Sequence, residues 1–190
     1  LWKYKDITDK KVAERALSWN ESLLRFMANS SPLAFYISEA ITDEILYFNS
    51  RFCELWGLKD QEQNMRDKNI SNSEIISKCA LLLESPDDFI TSCLAIQEEG
   101  NQSVIDDVIH LTDKRIISRY STQIRSDKNE YYGRLFIFED ISTRIQNENF
   151  LRQQRDLAVG LSLAVSFSEM LDLALNTLVN TETVDFGGIY

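Results

Sequence analysis

Apolar residues recur at helical spacing through Ala13, Ala16, Leu17, Leu23, Leu24 and Met27, with Lys11, Glu14, Arg15 and Glu21 between them. Residues 10–29 are therefore predicted to form an amphipathic helix. Asn29-Ser30-Ser31-Pro32 ends it, because the residue before a proline is pushed out of the α region. Residues 33–38 read as a strand, Thr42-Asp43 as a turn and 45–48 as a second strand, spaced as a hairpin. Asn49 follows at once and suits an N-cap, its side chain accepting from the backbone N–H of Arg51 or Phe52. Phe52, Leu55 and Trp56 then share one face, and Gly57 supplies a left-handed stop.

Residues 59–73 are polar and poorly patterned, a loop with one helical turn. Residues 74–83 read as a helix. Ser85-Pro86-Asp87-Asp88 opens another, with Ser85 as N-cap, Pro86 at the first position and Asp88 in the capping-box slot. That helix carries Phe89, Ile90, Cys93, Leu94 and Ile96, and Gly100 closes it. Three strands follow, at 103–111, 114–125 and 130–140. The last is apolar at consecutive positions, Leu135-Phe136-Ile137-Phe138, so both of its faces need cover. One face meets the core; the helix 10–29 or a partner subunit covers the other. From Ser142 to about Ala164 a further helix carries a stripe of Ile145, Phe150, Leu151, Leu157 and Leu161, an imperfect heptad. Ser168 caps another helix over 169–179. The closing Phe186-Gly187-Gly188-Ile189-Tyr190 reads as a strand without partners, the front of a truncated further domain.

Composition narrows the function. The 190 residues carry 30 acidic and 20 basic side chains, a net charge of −10 that disfavours a nucleic-acid partner. Three cysteines, Cys53, Cys79 and Cys93, are odd in number and widely spaced, which fits reduced thiols in a cytoplasmic protein rather than a disulfide frame or a zinc site. A lone histidine argues against His-based metal or triad chemistry, and no glycine-rich phosphate loop occurs. No apolar run approaches a membrane span. The chain opens on Leu1 rather than Met, so the natural N-terminus is expected further upstream.

The most specific feature is a repeat. Trp2-Lys3-Tyr4-Lys5-Asp6-Ile7-Thr8-Asp9-Lys10 matches Phe136-Ile137-Phe138-Glu139-Asp140-Ile141-Ser142-Thr143-Arg144, and the match runs on to Glu14 with Glu148 and Leu17 with Leu151. In each copy a strand ends in Asp-Ile-Thr/Ser, then a basic residue, then a helix. The aspartate is placed to cap that helix or to pair with the basic residue four positions on. This joint, the element order and Asn49-x-x-Phe52-x-x-x-x-Gly57 resemble PAS sensor domains. The resemblance implies an α+β fold, a PAS-like five-stranded antiparallel sheet with helices over one face, flanked by an N-terminal amphipathic helix and a C-terminal linker helix. It divides the chain into the end of a preceding PAS-like domain (1–10), a flanking helix (11–30), a PAS domain (31–143), a signalling linker helix (144–164) and the start of a GAF-like domain (165–190). That order resembles the input half of a sensor histidine kinase, with the catalytic core beyond residue 190 and a kinase domain and response regulator as downstream partners.

By the same resemblance, a small-ligand pocket lies between sheet and helices. Its candidate lining is Tyr36, Phe52, Trp56, Ile76, Phe89, Cys93, Val108, Tyr120 and Phe136, which equally well simply fill a core. Arg115, Arg119 and Arg125 alternate along one strand. Facing inward, Arg119 grips a carboxylate ligand; facing outward, the three form a solvated basic edge. Asp106 and Asp107 read as surface charge. Asp140 and Arg144 are the candidate signal-relay pair. The cofactor is unknown. Haem is disfavoured because the helix from Pro86 has no histidine and His110 falls in a strand; flavin is disfavoured because Arg51-Phe52-Cys53-Glu54-Leu55-Trp56 lacks the Asn-Cys-Arg motif of the light sensors. Three functions compete: a ligand sensor, a ligand-free relay module in a homodimer, and an enzyme. The last lacks any catalytic cluster in this segment.

Overall fold

Asn49 gathers the entry to the core. In the computed structural model its Oδ1 accepts from the backbone N–H groups of Phe35 (2.9 Å) and Phe52 (3.1 Å), and its Nδ2 donates to the carbonyls of Ala28 (2.8 Å) and Leu33 (2.9 Å). One buried side chain thus caps a helix and ties it to the strand and the helix end upstream. The structure describes residues 8–39 and 41–163, and beyond them 166–168, 170–172 and 175. The first copy of the repeat up to Ile7, most of the 169–179 helix and the 176–190 tail lie outside the described residues.

Helix α1 (Thr8–Ser30) precedes a hairpin of β1 (Ala34–Glu39) and β2 (Glu44–Phe48). The helices α2 (Ser50–Leu55), α3 (Glu62–Arg66), α4 (Asn72–Ala80) and α5 (Pro86–Gln97) follow, then β3 (Ile105–His110), β4 (Ile116–Arg125), β5 (Tyr131–Asp140) and α6 (Ser142–Leu163). The strands form one antiparallel sheet in the order β2-β1-β5-β4-β3, with Tyr36 opposite Phe136 and Arg119 opposite Phe138. This is the expected α+β, PAS-like sheet with its flanking helices. The chain separates into two units, the boundary falling between Ile141 and Ser142.

Alternation along each strand sets two faces. Ala34, Tyr36, Ser38, Phe136 and Phe138 point inward and are buried; Phe35, Ile37, Leu135 and Ile137 point outward and are half-buried. Gly133 (φ +150°) sits where β5 passes β1 so closely that a Cβ would lie 2.7 Å from the Ser38 carbonyl oxygen. Gly57 (φ +66°) ends α2 as its stop.

Three local expectations are corrected. The helix over 74–83 begins earlier, because Ser71 and Glu74 form a reciprocal capping box and bring Asn72 into its first turn. The 59–73 loop holds both a 3₁₀ turn (Lys59–Gln61) and α3, buried through Met65. Ser85 sits before α5 without its side chain capping it, so Pro86 alone marks that start, and the helix ends at Gln97, short of Gly100.

Candidate functional site: a cavity in the core

α2, α4 and α5 close over the inner face of the sheet and leave a cavity of about 30 Å³. Tyr36, Phe52, Trp56, Ile75, Ile76, Cys79, Phe89, Cys93, Gln97, Phe136 and Phe138 line it. The walls are mostly aromatic. Tyr36 stacks on Phe52 at 4.5 Å between ring centroids, and Trp56 meets Phe138 edge-on at 5.3 Å.

Polar chemistry enters at one end. The Tyr36 hydroxyl donates to Asn72 Oδ1 (3.1 Å), while Asn72 Nδ2 donates to Gln97 Oε1 (2.8 Å) and to Asp43 Oδ1 (3.1 Å). This chain links β1, α4, α5 and the β1–β2 turn. Burial pushes the Tyr36 hydroxyl well above the ordinary tyrosine range, so it stays protonated. Trp56 Nε1, on the cavity wall, is buried without a hydrogen-bond partner among the described residues. Ligand pockets usually enclose about 300–1,000 Å³, so this cavity, far smaller than that, admits a metabolite only if its walls move.

Seven of the expected lining residues come together here: Tyr36, Phe52, Trp56, Ile76, Phe89, Cys93 and Phe136. Val108 and Tyr120 do not; they are 49% and 39% exposed on the outer face. Arg119 and Tyr120 are neighbours on a strand and cannot point the same way.

Arg119 is the inward one, 5% exposed. Its fork is already taken by Asp107 (2.8 and 2.5 Å), directly opposite on β3. It also lies over the Phe89 ring and 3.7 Å from Cys93 Sγ. It therefore packs behind the cavity residues Phe89 and Cys93 instead of offering a free fork to a carboxylate ligand. Nor do the three arginines form a solvated edge: Arg115 donates to the Leu55 carbonyl (2.6 Å) and Arg125 to the Glu99 carbonyl (2.8 Å). Asp107 is a specific partner, not surface charge alone. His110 stands exposed at the end of β3.

Ile75, Cys79, Gln97 and Phe138 complete the lining unforeseen. Asn72, behind that lining and bonded to Tyr36 and Gln97, was unforeseen too, and its place follows from the Ser71-x-x-Glu74 capping signature in the sequence. Arg134, fully buried, was also unforeseen. It donates to Ser121 Oγ (2.7 Å) and to the carbonyls of Ile96 (2.6 Å), Asn101 (2.8 Å) and Ser103 (2.5 Å). Burial among neutral acceptors lowers its pKa from the usual arginine value.

The thiols are poor nucleophiles. Burial pushes Cys53 up to about 12 and Cys93 to about 11, Arg119 drawing the latter the other way, and raises Cys79 as well. Among the described residues no cluster is suited to hold a metal ion, and no helix is long and apolar enough to cross a membrane. Asp140 is the last residue of β5, and the backbone N–H after it, that of Ile141, donates to the Ile116 carbonyl (2.9 Å). Arg144 stands in the first turn of α6.

This sheet order, with helices enclosing a cavity on one face, is a PAS-like α+β architecture. Residues 22–93 match the family model described as PAS domain. The phage VqmA-DPO complex is similar at 17% identity and a TM-score of 0.48, over 77% of this chain and 64% of that one. A PAS domain from Colwellia psychrerythraea is similar at 16% identity and 0.41, over 64% and 97%. The PAS domain of BvgS from Bordetella pertussis is similar at 15% identity and 0.46, over 72% and 97%. No curated protein matches the chain.

Proposed function

We propose that the chain is the sensory and signal-relay segment of a cytoplasmic two-component sensor histidine kinase. A small ligand enters the core cavity and the change passes through the end of β5 into α6. The PAS match and the sheet topology support the sensory part. The observation that carries ligand entry is the cavity's chemistry: aromatic walls, a polar end at Tyr36, Asn72 and Gln97, and an unpartnered donor at Trp56 Nε1. With Arg119 taken by Asp107, that inventory favours a neutral, planar guest bearing one acceptor. Asp140 and Arg144 form the relay joint, repeated in sequence at Asp6 and Lys10. On this reading the rest of a GAF-like domain and a kinase core belong to the same full-length protein, and a response regulator is its downstream partner.

The test is thermal unfolding of the whole chain against small neutral heterocycles and short carboxylates. A binder at a hundred times its Kd stabilises by about 2.7 kcal/mol, a shift of a few degrees. Filling the cavity with Ile76→Phe should abolish the shift. If no compound raises the midpoint, the second reading gains: a relay module without a ligand, which the small size of the cavity favours.

A further inference from the structure

Helix α1 turns Leu24, with Met27 and Ala28 three and four residues on, toward the outer face of the sheet. Across from them Tyr47, Ile37 and Leu135 stand abreast on β2, β1 and β5, because Ile37 is in register with both of the others. Phe35 lies two residues back along β1. Helix and sheet do not close on one another. Between them lies a groove of about 650 Å³, inside the range of about 300–1,000 Å³ usual for ligand pockets. Its walls are apolar on both sides, so it suits an alkyl chain.

The polar side chains that border it are Glu21, Arg25, Ser31 and Tyr47. Ser31 Oγ is taken by the Leu33 N–H (3.1 Å). The Tyr47 hydroxyl is buried without a hydrogen-bond partner among the described residues. Burial raises its pKa, while the charges that act on it, Arg25 and Arg66, are both positive and draw it the other way. A lone phenol donor in a positive field fits an anionic acceptor and not a cation. Glu21 holds Arg25 at 3.0 Å, but the two side chains are 61% and 63% exposed, and an exposed pair of that kind is weak enough to give up its arginine.

We propose that the groove between α1 and the sheet binds a free, unbranched monocarboxylate of the fatty-acid class, its alkyl chain against Leu24, Met27, Ile37 and Leu135 and its carboxylate at Tyr47 and Arg25. Burial of methylene groups supplies most of the affinity, and the guanidinium and the hydroxyl select the head. A bilayer is a poor source of the same chemistry. The net charge of −10 is repelled by an anionic leaflet, and a groove walled on two sides admits one chain and not a surface. The proposal goes beyond the sensory reading and stands without it, since the groove and the core cavity lie on opposite faces of the sheet.

Calorimetric titration of the whole chain with dodecanoate, below its micelle-forming concentration, tests the site. One molecule should bind per chain. Decanoate should bind about fourfold more weakly for each methylene lost, and dodecanol about tenfold more weakly for want of the charged head. Met27→Glu sets a carboxylate in the groove at an exposed position and should abolish binding with an unchanged circular dichroism spectrum. Ser22→Glu, the same charge at an exposed residue of α1 that does not line the groove, should bind as the native chain does. Arg25→Gln should weaken dodecanoate about tenfold and leave dodecanol unchanged, whereas Glu21→Gln, which frees Arg25, should tighten dodecanoate. Absent or unsaturable dodecanoate binding, undiminished binding by Met27→Glu, or weaker binding by Glu21→Gln would overturn the proposal. So would a native dimer in sedimentation that Met27→Glu splits and dodecanoate leaves intact, because a second copy then fills the groove. Retention of the native chain but not of Met27→Glu on phosphatidylcholine vesicles would overturn it too, because a bilayer is then the occupant.

Discussion

Asn49 uses both ends of its amide, accepting twice and donating twice, while remaining fully buried. Asn49→Ala leaves the Phe35 N–H and the Ala28 and Leu33 carbonyls without this side chain at once, while the Phe52 N–H keeps the backbone carbonyl of residue 49. It is expected to cost roughly 2–4 kcal/mol, read as a drop in the urea midpoint. Trp56 is the opposite case. Its Nε1 has no partner to lose, so Trp56→Phe trades an unsatisfied donor against a little volume and is expected to cost less than about 1.5 kcal/mol. A loss above that in thermal melts would mean that the indole N–H is satisfied in solution. The thiols set the alkaline limit. Cys53 and Cys93 ionise near 9.0 when unfolded but only near 12 and 11 when folded. Between about pH 9 and 11 the native state therefore holds more protons than the unfolded one, and stability falls as pH rises. Urea titrations across that window should show the fall, and Cys93→Ala should flatten it; below pH 9 the variant should show the same pH slope as the native chain.

At the scale of elements, the hold on the end of α5 comes from the sheet. Arg134 reaches the carbonyls of Ile96, Asn101 and Ser103, while Gln123 and Arg125 both reach that of Glu99. Two cations thereby sit at the negative end of the α5 dipole. Arg134→Leu takes the arginine donor away from the Ile96 and Ser103 carbonyls, while Asn101 keeps Gln123. It should cost about 3 kcal/mol and speed amide exchange over the end of α5 and the chain to β3. If exchange there is unchanged, the grip is not what orders the segment. Elements like α2 were legible in the sequence because their signals are local: a cap at Asn49, a one-faced Phe52 and Trp56, a stop at Gly57. The phase of β4 was not. Ile116-Ile117-Ser118-Arg119-Tyr120-Ser121 alternates polar and apolar on neither face, and which side points inward is decided by Asp107 across β3 and by Arg134 reaching Ser121. Non-local pairs of that kind leave no trace in a periodicity, so Tyr120 and Val108 were placed on the wrong face and Arg134 was passed over.

The whole molecule divides the work of folding unevenly. Every buried hydrophobic residue described lies between Ala34 and Ile141; among described side chains of α1 only Ala28 is less than exposed, and α6 buries none. The hydrophobic term that opposes chain entropy therefore belongs to the sheet with α2 to α5. α1 contributes one essential contact to that body, the Ala28 carbonyl that accepts from Asn49. A chain of residues 27–141 keeps this carbonyl and the complete core. It should unfold in one cooperative transition, its stability within about 1 kcal/mol of the parent chain's. A non-cooperative melt of 27–141 would place part of the core in the helices that were removed.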